Sequence, residues 1–364
     1  MRYTTKEERM KSMKKINIKF LLELLNTPSP SGMEMMIQRK WMNYLNGEVD
    51  EMRTDNAGNA IAVLNEQADF HILLAGHCDE VAFMVKRIDD RGYLYVEKLG
   101  GINPKAAIGM KVEIIGEEDR INGVFGVNAQ HHGGIKGDFD ENDLFIDCGF
   151  QSKQEANEYI TIGDLVVYRR ESEVVRDQYI AGRGLDNRTG AFIVAEVMKR
   201  LAKKKLHVGV YGVSTVNEET NMGGAYFAAA GLKPNAALAL DVTFATDYPK
   251  VDSTKYGDIR LGGGPVLAKG APINRNLNRM LEKTAKDLKM ELQYELTPRH
   301  TGTDADKMRL TGEGVPVSLV SLPLRYMHSP VETVSLRDIE EEVELLTEWI
   351  SSLTGKESLN PLDE

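Results

Sequence analysis

The sequence is poor in cysteine, with only Cys78 and Cys148 among 364 residues. Two thiols cannot build a disulfide framework, and they suit a reducing cytoplasm. No apolar run approaches the roughly 20 residues that a spanning helix needs, so no membrane segment is expected. The opening MRYTTKEERMKSMKKINIKF is basic but has no apolar stretch before a small-residue cleavage site, so no secretory signal is expected. Positive charge is also short: 45 Lys and Arg stand against 55 Asp and Glu, a formal net charge of −10. That balance argues against nucleic acid as a partner. Internal repeats and low-complexity tracts are absent. What is present is 42% hydrophobic residues, enough for large cores, in a chain long enough to suggest two domains.

The texture of the chain changes twice. Its first part reads as helical, with IKFLLELLN (18–26) ended by PSPSG, and Ser31 with Glu34 forming an S-x-x-E capping box ahead of MMIQRKWMNYL. The turn DNAGNA then leads through AIAVLN to an apolar strand, HILLAG. From about residue 80 to 171, short β-branched and aromatic runs alternate with turn residues, and DDRG (89–92) reads as a hairpin loop with Gly92 at a positive φ. After residue 180 strands and helices alternate: NRTGAFIVAEVMKRLAKKK, VGVYGVSTV, AYFAAA, AALAL, NRNLNRMLEKTAKDLKM, VSLVSL and a final amphipathic seam of Ile339, Val343, Leu346, Ile350 and Leu353. This rhythm predicts an α/β fold with a mostly parallel sheet between helices. The catalytic part would comprise residues 1–79 and 172–364, interrupted by an all-β insert over 80–171.

Five stretches carry metal-type or acid–base side chains: GHCDE (His77, Asp79), RGLDNRTG (Asp186), STVNEETNMGG (Glu218, Glu219), LALDVT (Asp241) and RYMHSP (His328). Four of the five follow a buried-strand run, and in an open parallel sheet the carboxyl ends of the strands face one crevice. Each fragment alone has an ordinary reading. An isolated H-x-D is usually a satisfied histidine, Asp186 resembles a helix N-cap, paired glutamates usually mark a charged loop, and a strand-terminal aspartate often caps a turn. The remaining histidines, His71, His131, His132, His207 and His300, have weaker context. Together, two histidines and several carboxylates form a mixed N/O set that suits zinc, cobalt or manganese better than magnesium. His77 and Asp79 fall on one side of an extended chain, so one can ligate while the other orients. Adjacent Glu218 and Glu219 point to different sides, which suits one to a metal and the other to a general base. A shared carboxylate would leave room for two ions on the order of 3.5–4 Å apart.

These motifs resemble the dinuclear metallo-aminopeptidases that assemble into tetrahedral dodecamers, called TET peptidases and related to the glutamyl aminopeptidases. The matching pieces are GHCDEVAFMV, RGLDNRTG, NEETNMGGA, LALDVT, TGTDADKM and YMHSPVETV, in family order across nearly the whole chain. The resemblance implies a phosphorylase/hydrolase-like, zinc-peptidase type of sheet with a PDZ-like dimerisation insert. It implies that His77, Asp186 and Asp241 hold one metal, and that Asp186 bridges to a second held by Glu219 and His328. Glu218 would be the general base and Asp79 would orient His77. Two zinc or cobalt ions per chain are implied, with manganese admissible. Short peptides would be the substrates, and a homo-oligomer built through residues 80–171 would be a dimer or a dodecamer. The chain departs from the family after the glutamate pair (Thr220, Asn221, Met222, Gly223) and in HTGTDA, both of which approach the substrate. The alternatives are a deacylase or dipeptidase on the same metal site, or a non-catalytic assembly module. A glycoside hydrolase would use two carboxylates and no metal.

Overall fold

The computed structural model describes residues 16–116, 119–135, 139–169 and 171–363. The N-terminal basic segment, Arg170 and part of the His131–His132 loop therefore lie partly or wholly outside the described residues. Two helices, α1 (Ile18–Leu25) and α2 (Met35–Leu45), lead into strands β1 (Glu51–Thr54), β2 (Ala60–Leu64) and β3 (His71–His77). Six strands follow: β4 (Ala82–Ile88), β5 (Leu94–Leu99), β6 (Lys111–Ile115), β7 (Arg120–Phe125), β8 (Phe145–Asp147) and β9 (Leu165–Tyr168). They close into a barrel in the order β4-β5-β8-β7-β6-β9. Gly92 takes φ +88° in the β4–β5 hairpin, as the turn chemistry predicts. The barrel has a core of its own, including Phe83, Val96, Ile114, Phe125 and Val166.

After the barrel come β10 (Glu173–Val175), β11 (Tyr179–Gly182), helix α3 (Leu185–Leu201), β12 (Gly209–Thr215), α4 (Gly223–Leu232) and β13 (Ala236–Phe244). The chain continues through β14 (Val266–Gly270), α5 (Arg275–Asp287), β15 (Gln293–Thr297), β16 (Val317–Leu324), β17 (Glu332–Ser335) and α6 (Leu336–Ser352). Eight strands form one sheet ordered β1-β2-β12-β3-β13-β16-β14-β15, and its central four, β12, β3, β13 and β16, run parallel. Alternate residues of these strands enter two separate cores. Leu74, Leu238 and Leu240 face α1, α3 and α6, whereas Leu73, Ala237 and Ala239 face α4. Burial on both faces explains why these strands read as unbroken apolar runs.

A three-stranded antiparallel sheet, β10-β11-β17, was not legible in the sequence, nor were β1, β14 and β15. The expected capping box is also absent. Glu34 occupies the N-cap of α2 without a side-chain cap bond. Ser31 instead donates to Asp79 at 2.6 Å, and Glu34 accepts from Gly32 N–H at 2.9 Å and Asn217 N–H at 3.2 Å. A buried carboxylate near the sheet edge demands donors, and that demand outweighs a local helix cap.

Candidate metal centre

The carboxyl ends of the four parallel strands and the loops after them bring six of the seven residues singled out from the sequence together with the seventh, Asp186. His77 ends β3 and Asp241 lies near the end of β13. Glu218 and Glu219 open a one-turn helix after β12, and His328 follows β16. Asp186 arrives differently, from β11 of the small sheet through the kinked start of α3, where Asp186 (ψ 106°) and Asn187 have non-helical angles. Glycines make this approach possible. A Cβ on Gly76 would meet the Gly190 carbonyl carbon at 2.5 Å, so α3 lies directly against β3 just behind His77.

Asp186 stands between the two histidines. Its Oδ1 lies 3.3 Å from His77 Nε2, and its Oδ2 lies 3.2 Å from His328 Nε2. Glu218 Oε2 is 3.7 Å from His77 Nε2, and Glu219 Oε2 is 3.5 Å from His328 Nε2, so the adjacent glutamates do face different partners. Two overlapping groups, His77–Glu218–Asp241 and His77–Asp186–Glu219, each offer three ligand atoms within 4.8 Å of one another. The rings are oriented from behind. His77 Nδ1 lies 3.1 Å from the Asp79 carbonyl and 3.3 Å from its carboxylate, and His328 Nδ1 lies 2.7 Å from the Gly101 carbonyl at the barrel. A proton on each Nδ1 leaves each Nε2 free to ligate.

Asp79 does more than face His77. Its Oδ1 accepts from Glu218 N–H at 3.0 Å and its Oδ2 from Glu219 N–H at 3.2 Å, which joins the end of β3 to the glutamate turn. Several supporting residues escaped the sequence reading. Glu332 accepts from Leu185 N–H at 2.7 Å, Asp186 N–H at 3.2 Å and His328 N–H at 2.6 Å, so one carboxylate fixes two loops of the centre. Thr215 donates to Asp304 at 2.6 Å. Asn217, Met222, Tyr326 and His328 all take positive φ between 58° and 61°, a concentration of uncommon backbone in the two loops that carry Glu218, Glu219 and His328.

The electrostatics call for cations. Burial pushes Glu218 up to about 10; His77 offsets part of this, while Asp241, Asp304 and Asp186 add to it. Burial and neighbouring carboxylates likewise hold Glu219 and Asp241 well above the usual range. Asp186 behaves oppositely: burial opposes its charge, but the His328 and His77 rings hold it well below that range. Glu219 Oε1 and Asp304 Oδ1 are buried without a hydrogen-bond partner. Clustered carboxylates with orphaned oxygens and two free imidazole nitrogens fit divalent cations that favour nitrogen and oxygen ligands.

Beneath the centre, buried Glu80 pairs with Arg183 and Arg188. Arg188 also donates to the carbonyls of Gly184 (2.8 Å), Thr27 (2.6 Å) and Arg183 (2.7 Å). This guanidinium ties α3 to the loop after α1. Arg188→Ala is expected to cost about 3–5 kcal/mol, because it removes one of the two cations on buried Glu80 and leaves three buried carbonyls without their donor. Arg188→Lys should recover little, because an ammonium cannot reproduce the fork. Denaturant melts at fixed protein concentration check this, and a loss below about 1 kcal/mol would contradict it.

His328 makes a pH prediction. Burial disfavours its charged ring, but Asp186 outweighs that and raises its pKa to about 9. In cation-stripped protein the resulting stability is complete below about 6.5 and is lost as pH rises through about 9. A cation held by His328 would need the neutral ring and would displace that proton, so affinity should rise over the same window. Manganese titrations between pH 6.5 and 8.5 are expected to show tighter binding at the upper end with proton release; equal affinities would contradict the assignment.

A cavity of about 280 Å³ opens beside these residues, lined by Asp186, Glu218, Glu219, Asp241 and His328 among others. An acid-rich cavity beside two imidazoles that converge on one carboxylate, at the carboxyl edge of a parallel sheet, defines the class of α/β metallohydrolases. Residues 58–345 match the family model for M42 glutamyl aminopeptidase, and the chain belongs to that family of metal-dependent peptide hydrolases. It is 32% identical over 360 residues to the lysyl aminopeptidase of Pyrococcus furiosus, covering 96% of this chain and 99% of that protein. The TET aminopeptidase of the marine sediment archaeon Thaumarchaeota archaeon SCGC AB-539-E09 superposes with a TM-score of 0.87 at 29% identity, over 92% of this chain and 96% of that one. The Pyrococcus horikoshii TET1 peptidase, described as able to assemble into a tetrahedron or a large octahedral shell, gives a TM-score of 0.82 at 30% identity over 92% and 99%.

Proposed function

We propose that the chain removes the N-terminal residue from short peptides at a centre for two divalent cations, zinc or cobalt with manganese admissible. The observation that carries this reading is the Asp186 carboxylate, with one oxygen facing each ligating histidine at 3.3 and 3.2 Å. His77 and Asp241 would share Asp186 at one position, and Glu219 and His328 would share it at the other. When bound, the cations would acidify a water and offset negative charge developing on the scissile carbonyl. Glu218, at the cavity wall, takes the proton from the attacking water and returns it to the leaving amine. To take that proton the carboxylate must be ionised, a form that bound cations would favour. Asp79 and the Gly101 carbonyl hold the two rings in the tautomer that presents Nε2. The small cavity takes one side chain, which favours removal of single residues over cleavage within a chain. Assay of aminoacyl p-nitroanilides after chelation and after re-addition of zinc, cobalt or manganese tests the reading. Activity should vanish and return with the metal; activity that survives chelation would exclude it.

Residues 1–79 with 172–364 form the catalytic domain in this reading, and residues 80–171 form a PDZ-like dimerisation module. Six dimers would build a dodecamer with its centres facing a chamber, as the tetrahedral assembly of the TET1 peptidase suggests by analogy. Light scattering should give a multiple of the 40.6 kDa chain, twofold or twelvefold. A monomer at micromolar concentration would overturn the assembly. Free Cys78 and Cys148 favour a cytoplasmic setting. No helix among the described residues is long and apolar enough to cross a membrane.

A further inference from the structure

The cavity beside the centre contains one more carboxylate than the metal donors and base require. Glu295 projects from the edge strand β15 and lines the same cavity as Asp186, Glu218, Glu219 and Asp241. Its register partner on β14 is Ala268, a residue small enough to let a long side chain pass over it toward the sheet centre. There Glu295 Oε2 accepts from the Thr243 hydroxyl at 2.6 Å, and Oε1 accepts from the Ser321 hydroxyl at 3.0 Å. Both hydroxyls are buried, and they fix the carboxylate in the cavity wall. Two bonds leave about half of the lone-pair capacity of a carboxylate unused.

Charge balance gives this residue its meaning. Among the carboxylates lining the cavity, two divalent cations would offset the four of Asp186, Glu218, Glu219 and Asp241. Glu295 is left without a counter-ion, and His328 is the one basic side chain among the described residues lining the cavity. Burial raises the pKa of Glu295, with the Thr243 and Ser321 hydroxyls offsetting part of that effect. A carboxylate in that condition is stabilised by an incoming cation and repels an incoming anion. The apolar side chains of Leu319 and Met327 share the cavity and can pack against an aliphatic stem ahead of a charged tip.

We propose that Glu295 sets the specificity for the first residue of the substrate, selecting a lysine or arginine side chain and rejecting an acidic one. The inference rests on the aminopeptidase reading above; it departs from the glutamyl preference in the family's description and agrees with the name of the Pyrococcus furiosus lysyl aminopeptidase.

The test compares lysyl, arginyl, leucyl and glutamyl p-nitroanilides on the whole cobalt-loaded protein. The lysyl and arginyl substrates should lead in kcat/KM, with the glutamyl substrate last. Glu295→Gln should lower the lysyl-to-leucyl ratio of kcat/KM by at least about tenfold, the scale of a hydrogen bond to a charged group. Glu295→Asp should keep the preference for the cationic substrates, which a purely structural role would not require. Calorimetric binding of L-lysine and L-leucine gives a readout free of turnover, with lysine tighter in the wild type and its advantage reduced in Glu295→Gln. A leucyl or glutamyl substrate ahead of lysyl, or an unchanged ratio in Glu295→Gln, overturns the specificity assignment while leaving the aminopeptidase reading in place. No cleavage of any substrate, with lysine still bound in preference to leucine, overturns the reaction instead.

Discussion

Asp186→Asn is expected to release both cations and to abolish turnover at micromolar metal. The carboxylate presents one oxygen to each histidine, and a neutral amide has a single acceptor oxygen to offer. Each position would then lose a charged ligand. Replacing even an outer partner of a ligand costs about 10–100-fold in metal affinity, so loss of a shared ligand should exceed the upper figure. The fold should survive, because Glu332 holds this turn through the backbone N–H groups of Leu185 and Asp186 and does not use the Asp186 side chain. Elemental analysis after dialysis measures the effect. Retention of two ions per chain would remove the bridging role.

Glu218→Gln should separate binding from chemistry. The variant is expected to keep metal content near wild type while kcat falls by at least about a hundredfold, the usual scale for a general acid–base residue. The geometry makes this a demanding prediction, because Glu218 also lies within ligating distance of His77 and Asp241. A variant that loses one cation and its activity together would make Glu218 a ligand. One that keeps full activity would remove it from the mechanism. Asp304 bears on the same residue: it adds to the repulsion that raises the Glu218 pKa, so Asp304→Asn should shift the acid limb of the pH profile downward.

The metal-type residues were legible because the elements that carry them have a simple signature. HILLAG, VGVYGVSTV, AALAL and VSLVSL are buried on both faces, so they appear as apolar runs, and as parallel neighbours they must end on one edge. Asp186 lacked such a strand in the sequence because its leader, YIAG, belongs to a small antiparallel sheet with an alternating burial pattern. The supporting carboxylates were harder to see for a different reason. Glu80, Glu332 and Asp304 look like surface acids in a linear chain, and only their burial and partners reveal their work. Ser31 and Glu34 misled outright, since a local capping pattern was diverted to Asp79 and Asn217 by a contact 48 residues or more away in sequence. Strand β15 escaped because QYELT alternates between exposed and half-buried residues at the sheet edge, and Glu295 escaped with it.

The most direct test of the two-cation centre is a calorimetric titration of chelator-stripped wild-type protein with cobalt, with aminoacyl p-nitroanilide hydrolysis followed on the same samples. Binding should saturate at two ions per chain, with activity appearing as the sites fill. Saturation at one ion, or full activity in the stripped protein, would contradict the centre described above.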